Sequence, residues 1–492
     1  MQDRVEISKL PSGVPGLDEV LGGGFPEFSL NLIVGSPGSG KTTLGQQIMF
    51  ANASPERKAL FFTILGEPPI KMLRYQQQFS FFDMSKVGEC IEFFNLGEEA
   101  QREQGLEAVL KRIIVEVDRA VPQIVVVDSF RAVVRRALVH STGELATQDF
   151  MQRLGVALTS YEATTFILGE YDDNDTQDNA VSTVADGILQ LTQAVERNSV
   201  VRKLQVVKMR GQGQTPGLQT MRLSEDGVIV YPRILKPAEV THVVSPFEHR
   251  VKCGVPALDE MMAGGIPHGY SVLVAGPSGS GKTVLSNQFI VEGIQNDEPG
   301  VIAVFEKRPN DYLHTTPRGK EFRGLVEQKK LEVVYLRPLD LSIDETLTAL
   351  RDAVVRVGAK RAVIDSLSGL ELALAPTFRE DFRESLYRMI GALTGMGVTV
   401  MSTVELPDTY SSLLFSPHGI AFLSDAIIMQ RYLELDGQIR RALAVVKIRG
   451  SAHSKDLREY EIDGDGNIVV GNPLRGYDGI LTGAPTRVKD SR

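Results

Sequence analysis

At 492 residues the chain is too long for one ordinary domain, and 42% hydrophobic with 23% charged residues suits a soluble globular protein. A formal net charge of −9 argues against a surface built mainly for nucleic acid, and two cysteines, Cys90 and Cys253, exclude a disulfide framework. The charged N-terminus lacks the apolar core of a signal peptide and no apolar run is long enough to cross a bilayer, so the expected location is cytoplasmic, with no membrane partner.

In chain order, GVPGLDEVLGGGFP (Gly13–Pro26) precedes a predicted strand, LNLIVG (Leu30–Gly35), and a glycine-rich loop, GSPGSGKTT (Gly35–Thr43). ALFFTIL (Ala59–Leu65), IVVVD (Ile124–Asp128) and TTFILGE (Thr164–Glu170) are further apolar runs of the kind that form buried parallel strands. LEAVLKRIIVEVDRA (Leu106–Ala120) has helical spacing with its charges on the far face. The stretch Val230–Arg250 carries three prolines and little periodicity, and reads as a linker, strand-like in part.

Then the series begins again. GVPALDEMMAGGIP (Gly254–Pro267), GPSGSGKTV (Gly276–Val284), AVIDS (Ala362–Ser366) and KIRG (Lys447–Gly450) repeat the leader, the loop, VVVDS (Val125–Ser129) and KMRG (Lys208–Gly211). The offsets are 241, 241, 237 and 239 residues. Landmarks in one order with slowly drifting offsets mean two copies of one domain. The expected architecture is α/β, with strand, glycine loop, helix and strand building a mostly parallel sheet in each copy. The expected boundaries are residues 1–233 for the first domain, 234–250 for a linker, 251–480 for the second domain and 481–492 for a short tail.

Both loops match G-x-x-x-x-G-K-[ST]. Glycines let backbone N–H groups turn inward around phosphate oxygens, and the helix N-terminus that follows adds partial positive charge. The pattern gives nucleotide contact to Gly38, Ser39, Gly40, Lys41, Thr42 and Thr43, and again to Ser278, Gly279, Ser280, Gly281, Lys282, Thr283 and Val284. Lys41 and Lys282 meet the β- and γ-phosphates, while the Thr42 and Thr283 hydroxyls face Mg²⁺. Asp128 and Asp365 each close an apolar run, where a metal-side carboxylate belongs in P-loop proteins. A strand-ending Asp also starts turns, and the loop upstream in both copies favours the metal.

These residues resemble the KaiC family, double-domain RecA-like ATPases that include circadian clock members. The likeness rests on the G-V-P-x-L-D-E leaders, IDSLSGL (Ile364–Leu370), KIRGSAHSKDLREYEI (Lys447–Ile462) and GAPTR (Gly483–Arg487). It implies tandem RecA-like P-loop NTPase domains stacked as two tiers of a homohexameric ring, with ATP and Mg between neighbouring subunits. Lys208, Met209 and Arg210, like Lys447, Ile448 and Arg449, would then reach the neighbour's γ-phosphate; Arg441 would contact nucleotide in the second tier, and Ser224 with Glu225 in the first. A KaiB-like or other signalling partner is implied, whereas the few residues after Arg487 argue against a KaiA-type regulator.

The family's paired glutamates after the second strand are only partly present. In VFEKRP (Val304–Pro309) Glu306 is kept, as catalytic carboxylate and metal ligand, and Lys307 replaces its neighbour. In TILGEPP (Thr63–Pro69) Leu65 and Gly66 fall at the paired positions and Glu67 one step later, where it is either the catalytic carboxylate or a helix-cap residue before Pro68. Ser/Thr autokinase activity, implied by the resemblance, meets Ala421 and Phe422 at the usual acceptor positions, which leaves Ser424, Ser416, Ser411 and Ser412 as substitutes. Three functions compete: a ring ATPase that signals by conformation, a RecA-like nucleic-acid motor, and a scaffold glued by nucleotide. Arg131, Arg135 and Arg136 either line a channel for nucleic acid or form a solvated helix face. Net charge and the lack of a basic, aromatic segment speak against the motor, and nucleic acid is not an expected partner.

Overall fold

The computed structural model describes residues 7–63, 69–102, 105–129, 143–170, 183–196, 199–233, 249–316, 318–336, 341–374, 378, 382–406, 417–435, 437–479 and 486–487. Its contacts divide the chain into two compact units, Met1–Arg233 and Ile234–Arg492. Each unit carries a nine-stranded sheet.

In the first unit the strands are β1 (Leu30–Gly35), β2 (Ala59–Thr63), β3 (Ile91–Asn95), β4 (Ile124–Asp128), β5 (Thr164–Gly169), β6 (Gly187–Glu196), β7 (Ser199–Met209), β8 (Leu218–Ser224) and β9 (Gly227–Tyr231). Their order across the sheet is β9-β8-β7-β6-β1-β5-β4-β2-β3. From β6 to β3 all neighbours run parallel, and β7, β8 and β9 continue the sheet antiparallel. The second unit repeats the same order with β10 (Ser271–Gly276), β11 (Gly300–Val304), β12 (Leu331–Tyr335), β13 (Arg361–Asp365), β14 (Thr399–Glu405), β15 (Ala426–Leu435), β16 (Gln438–Ile448), β17 (Arg458–Ile462) and β18 (Ile468–Pro473). The mostly parallel α/β architecture read from the repeat is therefore present in both units. The predicted strand Ala59–Leu65 is described as far as Thr63.

Parallel strands covered on both faces need near-continuous apolar side chains, and every residue of β1, β2, β4 and β5 is buried. Two apolar clusters flank each sheet, one per face. The helix α1 (Gly105–Ala120) buries Val109, Leu110, Ile113 and Val117, the three-and-four spacing of a one-sided helix. The repeated Asp of the leader ties down the turn that precedes it. Asp18 Oδ1 accepts the Ser12 N–H at 2.8 Å, and Asp259 Oδ1 accepts that of Cys253 at 2.8 Å.

The helix after each loop, Lys41–Asn52 and Lys282–Gln295, is buried over most of its surface and is tied to the last antiparallel strands by an amide side chain. Gln47 Oε1 accepts the Val228 N–H at 2.7 Å while its Nε2 donates to Val228 O at 3.2 Å. Gln288 Oε1 accepts the Ile468 N–H at 2.9 Å. The glycine loop of each unit thus leaves the central strand between two neighbours whose chain connections diverge, the usual crevice for ligands in open α/β sheets.

Candidate functional site

Each loop turns on glycines that hold a backbone open to few other residues. Gly40 and Gly281 sit at φ 103° and 98°, and Gly38 and Gly279 at φ 78° and 75°. The space beside the second loop is close-packed: a Cβ on Gly279 would come 2.9 Å from the Tyr432 hydroxyl, and one on Gly281 2.9 Å from Ile462 Cδ1. Ser39 is fully buried with its hydroxyl unpartnered, whereas Ser280 Oγ donates to Gln430 Oε1 at 3.1 Å. The Tyr460 hydroxyl donates to Ser280 O.

The lysines fold back over their own loops. Lys41 Nζ donates to Gly35 O and Ser36 O, both at 2.9 Å, and Lys282 Nζ to Gly276 O at 2.9 Å and Pro277 O at 2.7 Å. Burial pushes the Lys41 ammonium below its ordinary range, partly opposed by Glu170 and Asp128. Thr42 Oγ1 donates to Asp128 Oδ2 at 2.6 Å, and Thr283 Oγ1 to Asp365 Oδ2 at 2.8 Å. The structure so brings loop and strand-end carboxylate together in both units. Thr43 is buried in its helix, and Val284 lines a cleft described below.

The two carboxylates differ in surroundings. Asp128 is 6% exposed; burial raises its pKa, and the Thr42 bond and Lys41 oppose the rise. Asp365 receives a second hydroxyl, from Thr403 Oγ1 at 2.6 Å to Oδ1. Next to it a cleft of about 410 Å³ is lined by Thr283, Asn287, Glu306, Lys307, Tyr312 and Thr315, among others. Glu306 is exposed on the side of this cleft, and Gly369 leaves it room, since a Cβ there would stand 3.1 Å from Glu306 Oε1. Glu67, with Leu65 and Gly66, lies outside the described residues, as do Arg131, Arg135, Arg136, Ser411, Ser412 and Ser416.

The donor set suits a magnesium nucleotide. Inward-turned glycine backbone, an ammonium and a helix start fit phosphate, and one hydroxyl with one carboxylate fits a cation that draws its remaining oxygens from phosphate and water. Among the described residues no group of three or more His, Cys, Asp or Glu could hold a metal by itself.

The basic residues stand elsewhere. Met209 pairs with Gly187, which pairs with Asn31 near the start of β1, so the KMRG end of β7 is level with the opposite end of the sheet from its own loop. Ile448 is likewise level with Ala426 and Val272. Arg210 and Arg449 follow their strands in the turn and fold back: Arg210 pairs with Asp186 at 3.1 Å and donates to Thr183 O at 3.4 Å. Arg449 pairs with Asp425 at 3.2 Å and donates to Phe422 O at 2.6 Å, beside a Lys447 Nζ bond to Ala421 O at 3.1 Å. Burial, then the neighbouring arginine, pushes Lys208 and Lys447 below the usual lysine range.

Arg441 belongs to the other end. It pairs in register with Tyr432, and its guanidinium lies 5.8 Å from that ring, next to the loop of its own unit. Sequence reasoning missed its counterpart Arg202, whose Nε donates to Gly38 O at 3.4 Å. The 239-residue offset of KMRG and KIRG, carried upstream, sets Arg202 against Arg441. Ser224 ends β8 and Glu225 opens the turn to β9, both exposed, and Glu225 O accepts the Ser80 N–H at 2.9 Å.

Sheet order and paired glycine loops define a protein of two tandem RecA-like ATPase domains. A family model described as "ATPase: KaiC" matches residues 10–234 and again 251–475, and the chain belongs to this KaiC ATPase family. Among curated proteins it is 26% identical to the "Circadian clock oscillator protein KaiC" of Prochlorococcus marinus over 494 residues, 99% of this chain and 97% of that one. It is 26% identical to the "Circadian clock protein KaiC3" of Synechocystis sp. over 497 residues, covering 98% and 96%. The "Circadian clock oscillator protein KaiC" of Parathermosynechococcus lividus is 26% identical over 493 residues, 98% of this chain and 89% of that one. Among the described residues no helix is long and apolar enough to cross a membrane.

Proposed function

We propose that this chain assembles as a homohexameric ring whose subunit seams bind ATP with Mg in both tiers, that at least one tier hydrolyses it, and that occupancy is signalled by conformation to a KaiB-like or other partner protein. The carrying observation is the separation of each basic strand end from its own loop. The level of Asn31 is four residues of strand from Gly35, about 13 Å at 3.3 Å per residue, with β6 between the two strands. Lys208 and Arg210 are thus out of reach of their own loop's phosphates and lie at the end of the sheet from which they would serve a neighbour's, and the second unit repeats the arrangement. In this reading residues 234–250 link the two domains.

Within a seam Lys41 or Lys282 releases its loop carbonyls to hold the β- and γ-oxygens, and the glycine backbone fixes their positions. Magnesium, when bound, offsets charge on those oxygens. Thr42 with Asp128, and Thr283 with Asp365 and Glu306, hold that cation and its waters. Glu306 orients the attacking water at the second loop, and Glu67 at the first. Lys208, Arg210, Lys447 and Arg449 stabilise the charge that develops on the transferred group.

Native mass spectrometry with and without Mg-ATP tests the ring: hexamers are expected with nucleotide, and a monomer at saturating Mg-ATP overturns it. Lys208→Ala and Arg449→Ala should each lower turnover at least about tenfold while monomeric fold is kept. A scaffold without turnover would assemble on a non-hydrolysable analogue and release no phosphate. A motor would be stimulated by single-stranded DNA, with steep salt dependence.

One observation favours a second activity, autophosphorylation in the first domain. In the second unit the basic turn grips the carbonyls of Ala421 and Phe422, which carry no hydroxyl, and Ser424 is buried at 4% exposure. At the matching place in the first unit Arg210 holds Thr183, an exposed threonine. Its Oγ would bond to the terminal phosphorus as the bond from that phosphorus to the β–γ bridging oxygen breaks, ADP leaving and the hydroxyl proton passing to a carboxylate. Phosphopeptide mapping after Mg-ATP should find Thr183 modified and Thr183→Val clean; phosphate only elsewhere, or none, ends this reading.

A further inference from the structure

The second unit's cleft holds a cation, Lys307, at a position where the repeat has glycine in the first unit's sequence. Lys307 follows Glu306 on the loop after β11, lines the cleft shared by Thr283, Glu306 and Asp365, and its counterpart in the repeat is Gly66. Its ammonium donates to Thr315 Oγ1 at 3.2 Å on the far wall, and that hydroxyl is itself spent on Asp311 O at 2.9 Å. Among the described residues no carboxylate lies in ion-pair contact with Lys307, although Glu306 is next in the chain and Asp365 lines the same cleft. An exposed lysine ordinarily drifts in solvent; this one is moored to a threonine on the wall of the triphosphate cleft.

We infer that Lys307 makes the second loop discriminate nucleoside triphosphate from diphosphate, by presenting a second ammonium to the terminal phosphate from the side opposite Lys282. The inference rests on the reading of that loop as a nucleotide site. A γ-phosphate carries the charge nearest the cleft, and a diphosphate ends short of it, so the added cation acts on one ligand and not the other. Glutamate in that place would repel the same group. The Thr315 bond keeps the flexible stem from retreating, which lowers the ordering cost when the ligand arrives.

The test uses the full chain with Lys41→Ala, so that only the second loop reports, and measures Kd for a non-hydrolysable ATP analogue and for ADP. Lys307→Met should weaken the analogue about tenfold, equivalent to about 1.4 kcal/mol, and change ADP less than about twofold. Lys307→Arg should keep the parent ratio, and Thr315→Val should lower it part of the way. Because Lys307 is exposed, its replacement leaves the core intact. An unchanged ratio in Lys307→Met overturns the inference while leaving the site reading in place. A parent that binds neither nucleotide overturns the site reading, and this inference with it.

Discussion

The two units share a strand order and a loop, yet they treat the strand-end carboxylate differently. Among the described residues Asp128 takes one hydroxyl, from Thr42, in a surround where Leu168 occupies the place of Thr403. Asp365 takes two, from Thr283 and Thr403. A carboxylate held by two hydroxyls has its plane fixed; one held by a single hydroxyl keeps a rotation, at the expense of a more buried and less favourable charge. Duplication thus kept the loop threonine and the strand-end aspartate and let their supports diverge.

The largest test of this comparison asks whether the copies are separate at all. Lys41→Ala and Lys282→Ala should each cost their own copy at least about 100-fold in nucleotide affinity and leave the other copy loaded, which native mass spectrometry reads as half the bound nucleotide lost. Loss of all nucleotide from either variant would mean that one copy depends on the other. Glu67→Gln in the Lys282→Ala background, and Glu306→Gln in the Lys41→Ala background, should lower the remaining turnover about 100-fold; unchanged activity removes that glutamate from the role.

A second contrast lies in the core. Arg361 is 2% exposed, pairs with Glu298 at 2.6 Å and donates to the carbonyls of Lys252 at 2.7 Å and Phe289 at 2.6 Å. By register the first unit has Ile124 there. Arg361→Ile should destabilise the second unit by about 3 kcal/mol in urea unfolding, since its partners stay behind unpaired. Thr403→Val makes Asp365 resemble Asp128 and should cost about 1.5 kcal/mol, with a several-fold loss of turnover confined to the second loop.

The smallest effect concerns the leader turn, where Cys253 stands in place of Ser12. Burial raises the thiol's pKa well above its ordinary value, so the folded chain keeps a proton that the unfolded chain gives up above about pH 8.5. Stability linked to this thiol is therefore complete below the unfolded pKa and falls as pH climbs toward the folded one. Between pH 7 and 9 the wild type should lose about 0.8 kcal/mol more than Cys253→Ala, measured by urea midpoints at each pH.

Much of this was legible beforehand because it is local. Buried strands, the glycine loops, Asp128 and Asp365 follow from apolar runs and short motifs, and the repeat supplied the duplication. What escaped depends on pairing between distant segments. The Thr403 bond to Asp365 spans 38 residues, and the bond from Arg202 to Gly38 spans 164. The strand that carries Lys208 ends at Met209, and Arg210 turns back to Asp186. No periodicity announces which end of a sheet an antiparallel strand finishes on; that follows from the register of β7 on β6.

The glutamine clasps have a mechanical corollary. With Gln47 bonded to both polar groups of Val228, the helix that begins at the loop cannot slide without dragging the antiparallel ribbon along. The same ribbon carries the cationic tip at its far margin, so loop and tip behave as two ends of a stiff beam. A displacement at the cradle would reach that tip through the hydrogen bonds that join the last three strands.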